Sequence, residues 1–114
     1  MVKRDQGVSE QDLDQLSSLF RLLSDKTRLS ILMRLSDGER NVTTLCEELA
    51  LPQPTVSHHL GLLRMSNVIA NRRSGKQVFY SLNGRVEAGG ANTLQIGVEN
   101  FVIKVASVHA QPAA

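Results

Sequence analysis

The chain has 114 residues and a mass of 12.5 kDa, which is the size of one domain and leaves no room for a two-domain enzyme. Hydrophobic residues make up 41% and charged residues 21%, a globular composition that excludes a disordered chain. No stretch approaches the ~20 apolar residues of a membrane helix, and one cysteine cannot form an internal disulfide. We therefore expect a soluble protein of the cytoplasm.

The positive charge is concentrated in the middle of the chain. Residues 1–48 hold seven basic and nine acidic side chains, whereas residues 49–86 hold five basic side chains and no acidic one. Such a segment is typical of a surface that binds a polyanion. On the charge alone, a solvated surface with incidental arginines is the better explanation, so the interpretation depends on the structure that the segment forms.

The first predicted helix covers about residues 9–23. Ser9 and Asp12 have the spacing of a capping box at its start. The apolar residues at helical spacing, which are expected to face the core, are Leu13, Leu16, Phe20 and Leu23. Leu19 and Leu22 widen this apolar surface beyond one stripe, which is compatible with ordinary core packing and equally with contact to a partner.

Three further helices are predicted before residue 66. Asp25 is expected to cap the second helix, which ends near Gly38, and Asn41 the short third helix. The fourth helix runs from about Pro54 to Met65. The residues expected to face the core are Ile31, Leu32 and Leu35, then Val42, Leu45 and Leu49, then Val56, Leu60 and Leu63. A short helix, a tight turn and a longer helix indicate a helix-turn-helix.

After Asn67 the pattern changes to that of strands. Val68–Arg73 and Gln77–Leu82 predict a hairpin closed by the loop Ser74-Gly75-Lys76. Its tip is expected to form a basic finger beside the fourth helix, carrying Arg72, Arg73 and Lys76.

The segment after Gly89-Gly90 alternates around Glu99-Asn100. The alternating residues are Leu94, Ile96 and Val98, then Phe101, Ile103 and Val105, which favours a second small hairpin. The alternative is a helix that uses Leu94, Val98, Phe101 and Val105.

The predicted fold class is mainly α with a small β wing, a winged helix-turn-helix with an extra C-terminal hairpin. We divide the chain into a flexible tail (1–8), a DNA-binding winged helix-turn-helix (9–83), a C-terminal dimerisation segment (84–108) and a flexible tail (109–114).

The fourth helix is predicted to enter the major groove of double-stranded DNA. Hydrogen-bonding side chains expected to face outward near its start are Gln53, Thr55, Ser57 and His58. Arg64 lies about two turns later and is expected to contact the phosphate backbone. The hairpin residues Arg72, Arg73 and Lys76 are expected to reach phosphates or a minor groove.

Catalysis is not expected from this sequence. Ser57 lies beside His58, but no acidic residue lies between Glu48 and Glu87 and no Gly-x-Ser-x-Gly motif is present. The two adjacent histidines point about 100° apart on a helix, so they do not readily share one metal. His59 is expected to turn inward as a hydrogen-bonded residue, and His58 outward.

Several of these segments together resemble one family, the ArsR/SmtB winged helix-turn-helix repressors of bacteria. The resemblance covers roughly residues 13–83. The residues that carry it are Asp25-Lys26-Thr27-Arg28-Leu29, Ile31-Leu32, Leu45, Leu49, Gln53–Leu60, Leu63-Arg64, Arg73–Lys76 and Tyr80-Ser81-Leu82. It implies a homodimeric repressor that binds a palindromic operator and releases it when an inducer binds. It also implies recognition-helix contacts by Gln53, Ser57 and His58, and wing contacts by Arg73 and Lys76.

The sequence departs from the metal-sensing members of that family. Where they carry a Cys-x-Cys-x-x-Cys box, this chain has Asn41, Thr43 and Cys46, so two of three thiolates are missing. Where others bind zinc on a last helix, it offers only Glu99 and His109. We therefore expect neither a metal nor another cofactor.

Two single residues are open to more than one interpretation. Cys46 is interpreted as a packed, inert thiol, and the alternative is a redox switch. Pro52 stands where a Ser or Thr would cap the recognition helix, whose first turn therefore lacks a side-chain acceptor.

The first helix and the C-terminal segment are the candidate dimer surfaces. The alternative function is a protein-interaction module on a winged-helix scaffold that does not bind DNA sequence-specifically. Binding to DNA through several phosphate contacts weakens steeply with salt, which distinguishes the two.

Overall fold

The computed structural model describes residues 7–89 and 93–108, which form four helices and two small antiparallel sheets. The helices are α1 (Glu10–Leu23), α2 (Lys26–Leu35), α3 (Val42–Leu49) and α4 (Gln53–Met65). The strands are β1 (Arg40–Asn41), β2 (Ile69–Ser74), β3 (Gln77–Leu82), β4 (Val86–Ala88), β5 (Thr93–Val98) and β6 (Phe101–Ala106). The predicted fold class is confirmed.

The predicted tail 109–114 and most of the predicted tail 1–8 lie outside the described residues. Among the described helices, none is long and apolar enough to cross a membrane.

Side-chain caps start the first three helices where the sequence predicts them. The Ser9 hydroxyl accepts the backbone N–H of Asp12 at 2.9 Å, and the Asp12 carboxylate accepts that of Ser9 at 3.2 Å. Asp25 and Asn41 each accept a backbone N–H three residues on, at 2.9 and 2.8 Å. Each cap satisfies a donor that the first turn of a helix leaves without a partner. Pro52 precedes α4 without a side-chain cap, as predicted.

The Asp25 cap leads to a prediction about stability and pH. The backbone N–H of Arg28 is the main cause that lowers the pKa of Asp25 below its ordinary value of 3.8. Asp25→Ala is expected to lower the free energy of unfolding by about 1 kcal/mol at pH 7. Because the folded pKa is the lower one, this contribution is complete above about pH 4 and declines as pH falls through the folded pKa.

Urea denaturation of the wild type, Asp25→Ala and Asp25→Asn at pH 7 and pH 3 measures this effect. Asparagine keeps an acceptor, so Asp25→Asn should lose less stability than Asp25→Ala at pH 7. A loss in Asp25→Ala that is equally large at both pH values would contradict the assigned role of the carboxylate.

The main core lies between α2, α3 and α4. It contains the predicted inward-facing residues Ile31, Leu32, Leu35, Leu45, Val56, Leu60 and Leu63, which are all fully or almost fully buried. Val42 and Leu49 are half-buried and pack against them. The apolar spacing therefore predicts the inner faces of these three helices correctly.

The predicted inner face of α1 is partly wrong. Leu13 is 51% and Phe20 54% exposed, whereas Leu19 and Leu23 are buried. Because α1 has apolar residues on two sides, its periodicity does not identify the side that packs against the rest of the chain. The structure leaves an apolar surface on α1 around Leu13, Leu16 and Phe20.

The wing is a sheet with the strand order β1-β3-β2. In its hairpin Ile69 lies opposite Leu82 and Ser74 opposite Gln77. The predicted hairpin is confirmed, but Ser74 belongs to β2, so the turn has two residues, Gly75 and Lys76, and not the predicted three. Gly75 in the connecting turn has a φ of 64°, a value that glycine adopts without the steric cost of a side chain. Strand β1 was not predicted, because two residues carry no periodic signal.

The C-terminal segment is a second sheet with the order β4-β5-β6. Leu94 lies opposite Val105 and Val98 opposite Phe101, so the predicted hairpin is confirmed and the alternative helix is wrong. The short strand β4 was not predicted. Two polar contacts join this sheet to the helices: the Asn100 amide donates to the Asp12 carboxylate, and Arg85 donates to the carbonyl oxygen of Ser66 at the end of α4. Arg85 also donates to the carbonyl oxygen of Gly97 in β5.

Candidate nucleic-acid interface

The fourth helix divides into a buried and an exposed face. Its exposed face carries Gln53, Ser57, His58 and Arg64, and its opposite face contributes Val56, Leu60 and Leu63 to the core. Thr55 lies between the two faces and is half-buried. Within α4 the helical spacing thus gathers four of the five predicted contact residues on one surface.

Arg28 connects the start of α2 to α4. Its Nε donates to the carbonyl oxygen of Leu22 at 2.6 Å, and its guanidinium lies 3.2 Å from Nδ1 of His59. A guanidinium can only donate, so Nδ1 of His59 is the acceptor in this contact. The same Nδ1 lies 3.8 Å from the Asp25 carboxylate.

The two histidines point in different directions, as predicted. The side chain of His59 is 15% exposed, whereas His58 lies on the exposed face of α4. Arg28 and His59 thus hold α4 against α1 and α2 while His58 stays accessible. The role of Arg28 was not predicted, because its partners Leu22 and His59 are 6 and 31 residues away.

The three basic residues of the wing lie exposed near the hairpin tip, where they were predicted, but they do not share one face of the sheet. Arg72 lies opposite Phe79 in the sheet and Arg73 opposite Val78, so the two arginines point to opposite faces. Lys76 lies in the exposed turn. Arg73 and Lys76 have no ion-pair partner within the described part of the chain.

Arg72 is held by an acidic residue outside the wing hairpin. Its guanidinium makes two hydrogen bonds of 2.7 Å to the carboxylate of Glu39 and lies 4.9 Å from the centre of the Phe79 ring. The hydrogen bonds to Arg72 are the main cause that lowers the pKa of Glu39, and they raise that of Arg72. The sequence contained no signal for this pair, whose members are 33 residues apart.

A small cleft of about 190 Å³ brings the wing and α4 together. It is lined by Asn41, Val42, Thr43, Gln53, Lys76, Gln77 and Val78. The Asn41 amide donates to the side chain of Gln77 at 3.1 Å, which connects the start of α3 to the wing. Gln53 and Lys76, predicted from separate motifs, therefore border one surface. Thr43 and Gln77 belong to the same surface and were not predicted.

The side chains that could ligate a metal lie apart from one another. Among residues 7–89 and 93–108, no group of three His, Cys, Asp or Glu side chains is arranged to hold an ion. Cys46 is a half-buried free thiol that packs against the core. His109, one of the two residues considered for zinc, lies outside the described residues.

Comparison with known sequences identifies relatives of this chain. The family described as "Bacterial regulatory protein, arsR family" matches residues 25–70. The chain is 44% identical over 64 residues to the HTH-type transcriptional regulator KmtR of Mycobacterium tuberculosis, covering 56% of this chain and 49% of KmtR. It is 43% identical over 77 residues to the arsenical resistance operon repressor of Escherichia coli, covering 67% of this chain and 66% of that one. The chain thus spans about half to two thirds of these two relatives.

A third relative is covered more completely. The transcriptional repressor SdpR of Bacillus subtilis is 35% identical over 71 residues, which is 62% of this chain and 79% of SdpR. All three relatives are named regulators or repressors, which confirms the prediction that the chain is not an enzyme.

Solved structures support the same relationship. HlyU from Vibrio cholerae has a TM-score of 0.64 and 32% identity, covering 67% of this chain and 83% of HlyU. The transcriptional repressor BigR from Xylella fastidiosa has a TM-score of 0.61 and 36% identity, covering 66% of this chain and 74% of BigR. On these sequence and structural matches, the chain belongs to the arsR family of bacterial regulatory proteins.

Proposed function

We propose that the protein is a cytoplasmic, homodimeric transcriptional repressor that binds a palindromic operator with α4 and the wing. The observation that carries this proposal is the surface on which the exposed face of α4 meets the wing at Gln53 and Lys76. No acidic residue occurs in the sequence between Glu48 and Glu87, so both elements are free of phosphate-repelling side chains.

The roles of the contact residues follow from their chemistry. Gln53, Ser57 and His58 present hydrogen-bonding groups suited to base edges in the major groove, which is about 12 Å wide and admits a helix. Arg64 and the half-buried Thr55 are assigned to phosphates beside the groove. Arg73 and Lys76 are assigned to phosphates reached by the wing, and they supply affinity more than sequence information.

Arg72 requires a different assignment from the other wing residues. Glu39 binds its guanidinium, so we assign Arg72 mainly to holding the hairpin of the wing against the loop that precedes β1. Its side chain remains 56% exposed, so a phosphate can compete with Glu39 for it.

A two-fold dimer reads two half-sites about one helical turn, roughly 34–36 Å, apart. The exposed apolar residues of α1 support self-association, because Leu13 and Phe20 would be removed from water in a dimer. An inducer that releases the operator is part of the proposal.

Selection of bound fragments from random duplex DNA, followed by footprinting, tests the proposal. We expect enrichment of an inverted repeat, protection of two half-sites, and one dimer per site in sedimentation experiments. No enrichment, together with an affinity for duplex DNA that does not change with salt, would support the protein-interaction module instead.

Glu39→Gln is expected to strengthen binding to all duplex sequences, because it releases Arg72 to bind a phosphate. The slope of log K against log salt should steepen by up to about 0.9 for each additional phosphate that the protein neutralises. Fluorescence anisotropy at several salt concentrations measures both quantities.

Glu47→Gln provides the matched control, because Glu47 is an exposed acid on α3 with no ion pair in the described residues. It changes the net charge equally without releasing Arg72. Equal increases in affinity for the two variants would show that net charge, and not the Arg72–Glu39 pair, is responsible.

A further inference from the structure

We propose that β6 pairs antiparallel with β6 of a second copy, which joins the two C-terminal sheets into one six-stranded sheet across the dimer axis. This inference rests on the proposed homodimer and names the element that forms it. The strand order β4-β5-β6 leaves β6 at an edge, where it pairs on one side only among the described strands.

The hydrogen-bond pattern shows which backbone groups β6 presents at this edge. The N–H of Gly97 donates to the carbonyl oxygen of Arg85 at 2.8 Å, so Gly97 faces the β4 side. Backbone groups alternate in direction along a strand, so the neighbours Ile96 and Val98 bond toward β6. Their partners there are Ile103 and Phe101. The residues of β6 whose N–H and C=O groups point to the open edge are therefore Val102, Lys104 and Ala106.

Burial within the sheet also points to a missing neighbour beside β6. Leu94, Ile96 and Val98 of β5 are no more than 3% exposed. Their cross-strand partners on the same face, Val105, Ile103 and Phe101, are only half-buried. The apolar face is thus covered under β5 and incompletely covered under β6, as expected where a sheet continues into another molecule.

The edge lacks the features that normally prevent strand pairing. Proteins protect exposed edges with proline, bulges, very short strands or several charges. Strand β6 has six residues in unbroken register, and its sequence FVIKVA contains no proline and one charge, Lys104. Val102, two residues before Lys104 in the same strand, is 64% exposed. This strand is suited to pair with another strand.

Two-fold symmetry limits the register, and charge selects between the two registers that pair five residues of each strand, centred on Ile103 and on Lys104. Two copies of one strand can pair antiparallel in a sheet only about an axis perpendicular to it, which keeps the same face of both copies on one side. A pairing centred on Ile103 places Phe101 of one copy opposite Val105 of the other, and Lys104 opposite Val102. A pairing centred on Lys104 would instead place like charges directly opposite, which is destabilising. The strand is therefore complementary to itself in the Ile103-centred register.

The edge is also close to the other surface proposed for self-association. The Asn100 amide, just before β6, lies 3.3 Å from the Asp12 carboxylate in the first turn of α1. The exposed Leu13 follows Asp12 directly. The open edge of β6 and the apolar surface of α1 thus approach each other at one end, which favours a second copy of this chain as the occupant of the edge.

Disulfide trapping tests the register. The test uses Ile103→Cys in a Cys46→Ser background, so that each copy carries one thiol. In the proposed register residue 103 of one copy lies opposite residue 103 of the other. These two residues form no backbone hydrogen bonds with each other, and the Cα separation of such a pair is about 4.5 Å. That distance lies within the range of about 4.4–6.8 Å that a disulfide bridges. Val105→Cys is the matched control, because its equivalent thiol in the other copy is displaced by four residues, roughly 13 Å.

We expect mild oxidation to form covalent dimers at least ten times faster with Ile103→Cys than with Val105→Cys. Equal rates, or faster trapping of Val105→Cys, would overturn the proposed pairing. If the unmodified chain sediments as a dimer while Ile103→Cys is not trapped, the pairing fails and the homodimer stands. If the chain is a monomer at all concentrations, both fail.

Val102→Pro tests the backbone contact independently. Proline removes an N–H that points to the open edge and none that bonds to β5, so the sheet of each copy should persist. Val102→Thr keeps the N–H and serves as its control. We expect Val102→Pro to weaken dimerisation at least tenfold while Val102→Thr stays close to the wild type, with circular dichroism reporting the fold. Equal dimerisation of the two variants would overturn the pairing.

Discussion

Replacement of Arg28 by alanine is expected to lower the free energy of unfolding by about 1.5–3 kcal/mol, the range for hydrogen bonds that involve a charged group. The change removes the donors to Leu22 and His59, which connect the end of α1 to α4. We also expect weaker operator binding, because α4 loses the polar contact through His59 that fixes its position against α1 and α2. Chemical denaturation and anisotropy titrations on the same preparation measure both effects.

Two variants control for the loss of charge and side-chain volume at Arg28. Arg28→Lys keeps the charge but cannot donate to both partners in the geometry of a guanidinium, so it should recover only part of the stability. Arg34→Ala removes an exposed arginine at the end of the same helix and should change the stability by less than about 0.5 kcal/mol. Equal losses for Arg28→Ala and Arg34→Ala would contradict a positioning role for Arg28.

Ser57→Ala and His58→Ala are each expected to weaken operator binding by about 1–3 kcal/mol. Binding to unrelated duplex DNA should change little, because both side chains face outward from α4 and are assigned to base edges. Lys76→Ala should instead weaken binding to all sequences alike and reduce the salt slope by about 1 unit. Titrations with operator and scrambled duplexes at several salt concentrations measure these changes.

The comparison between the two kinds of variant tests the division of roles. Thermal denaturation of each variant controls for altered folding, since exposed positions on α4 and in the wing turn should leave the melting temperature nearly unchanged. A change of base preference in Lys76→Ala, or a uniform loss over all sequences in Ser57→Ala, would contradict the assignment.

The sequence predicted the elements whose residues interact locally. The caps at Ser9, Asp25 and Asn41 form as expected, because each acts on a backbone group only three residues away. The inner faces of α2, α3 and α4 were also predicted, because one apolar stripe on each helix has one way to be buried. The C-terminal hairpin followed from alternation over two six-residue strands.

The features that were missed depend on contacts between distant residues. Leu13 and Phe20 were predicted in the core, but an apolar residue at the correct spacing packs inward only if another element covers it. Strands β1 and β4 are too short for a periodic signal and exist through pairing with longer neighbours. The pair Arg72–Glu39 required the position of the loop before β1, which spacing along the chain does not indicate.

The most direct test of the DNA-binding surface is to map amide chemical shifts of the protein during titration with its selected duplex. We predict that the largest changes fall on α4 from Gln53 to Arg64 and on the wing turn around Lys76. The open edge of β6 should change little, because it is assigned to a second copy and not to DNA. Changes centred on β6 and the apolar side of α1, with α4 unaffected, would contradict the proposed interface.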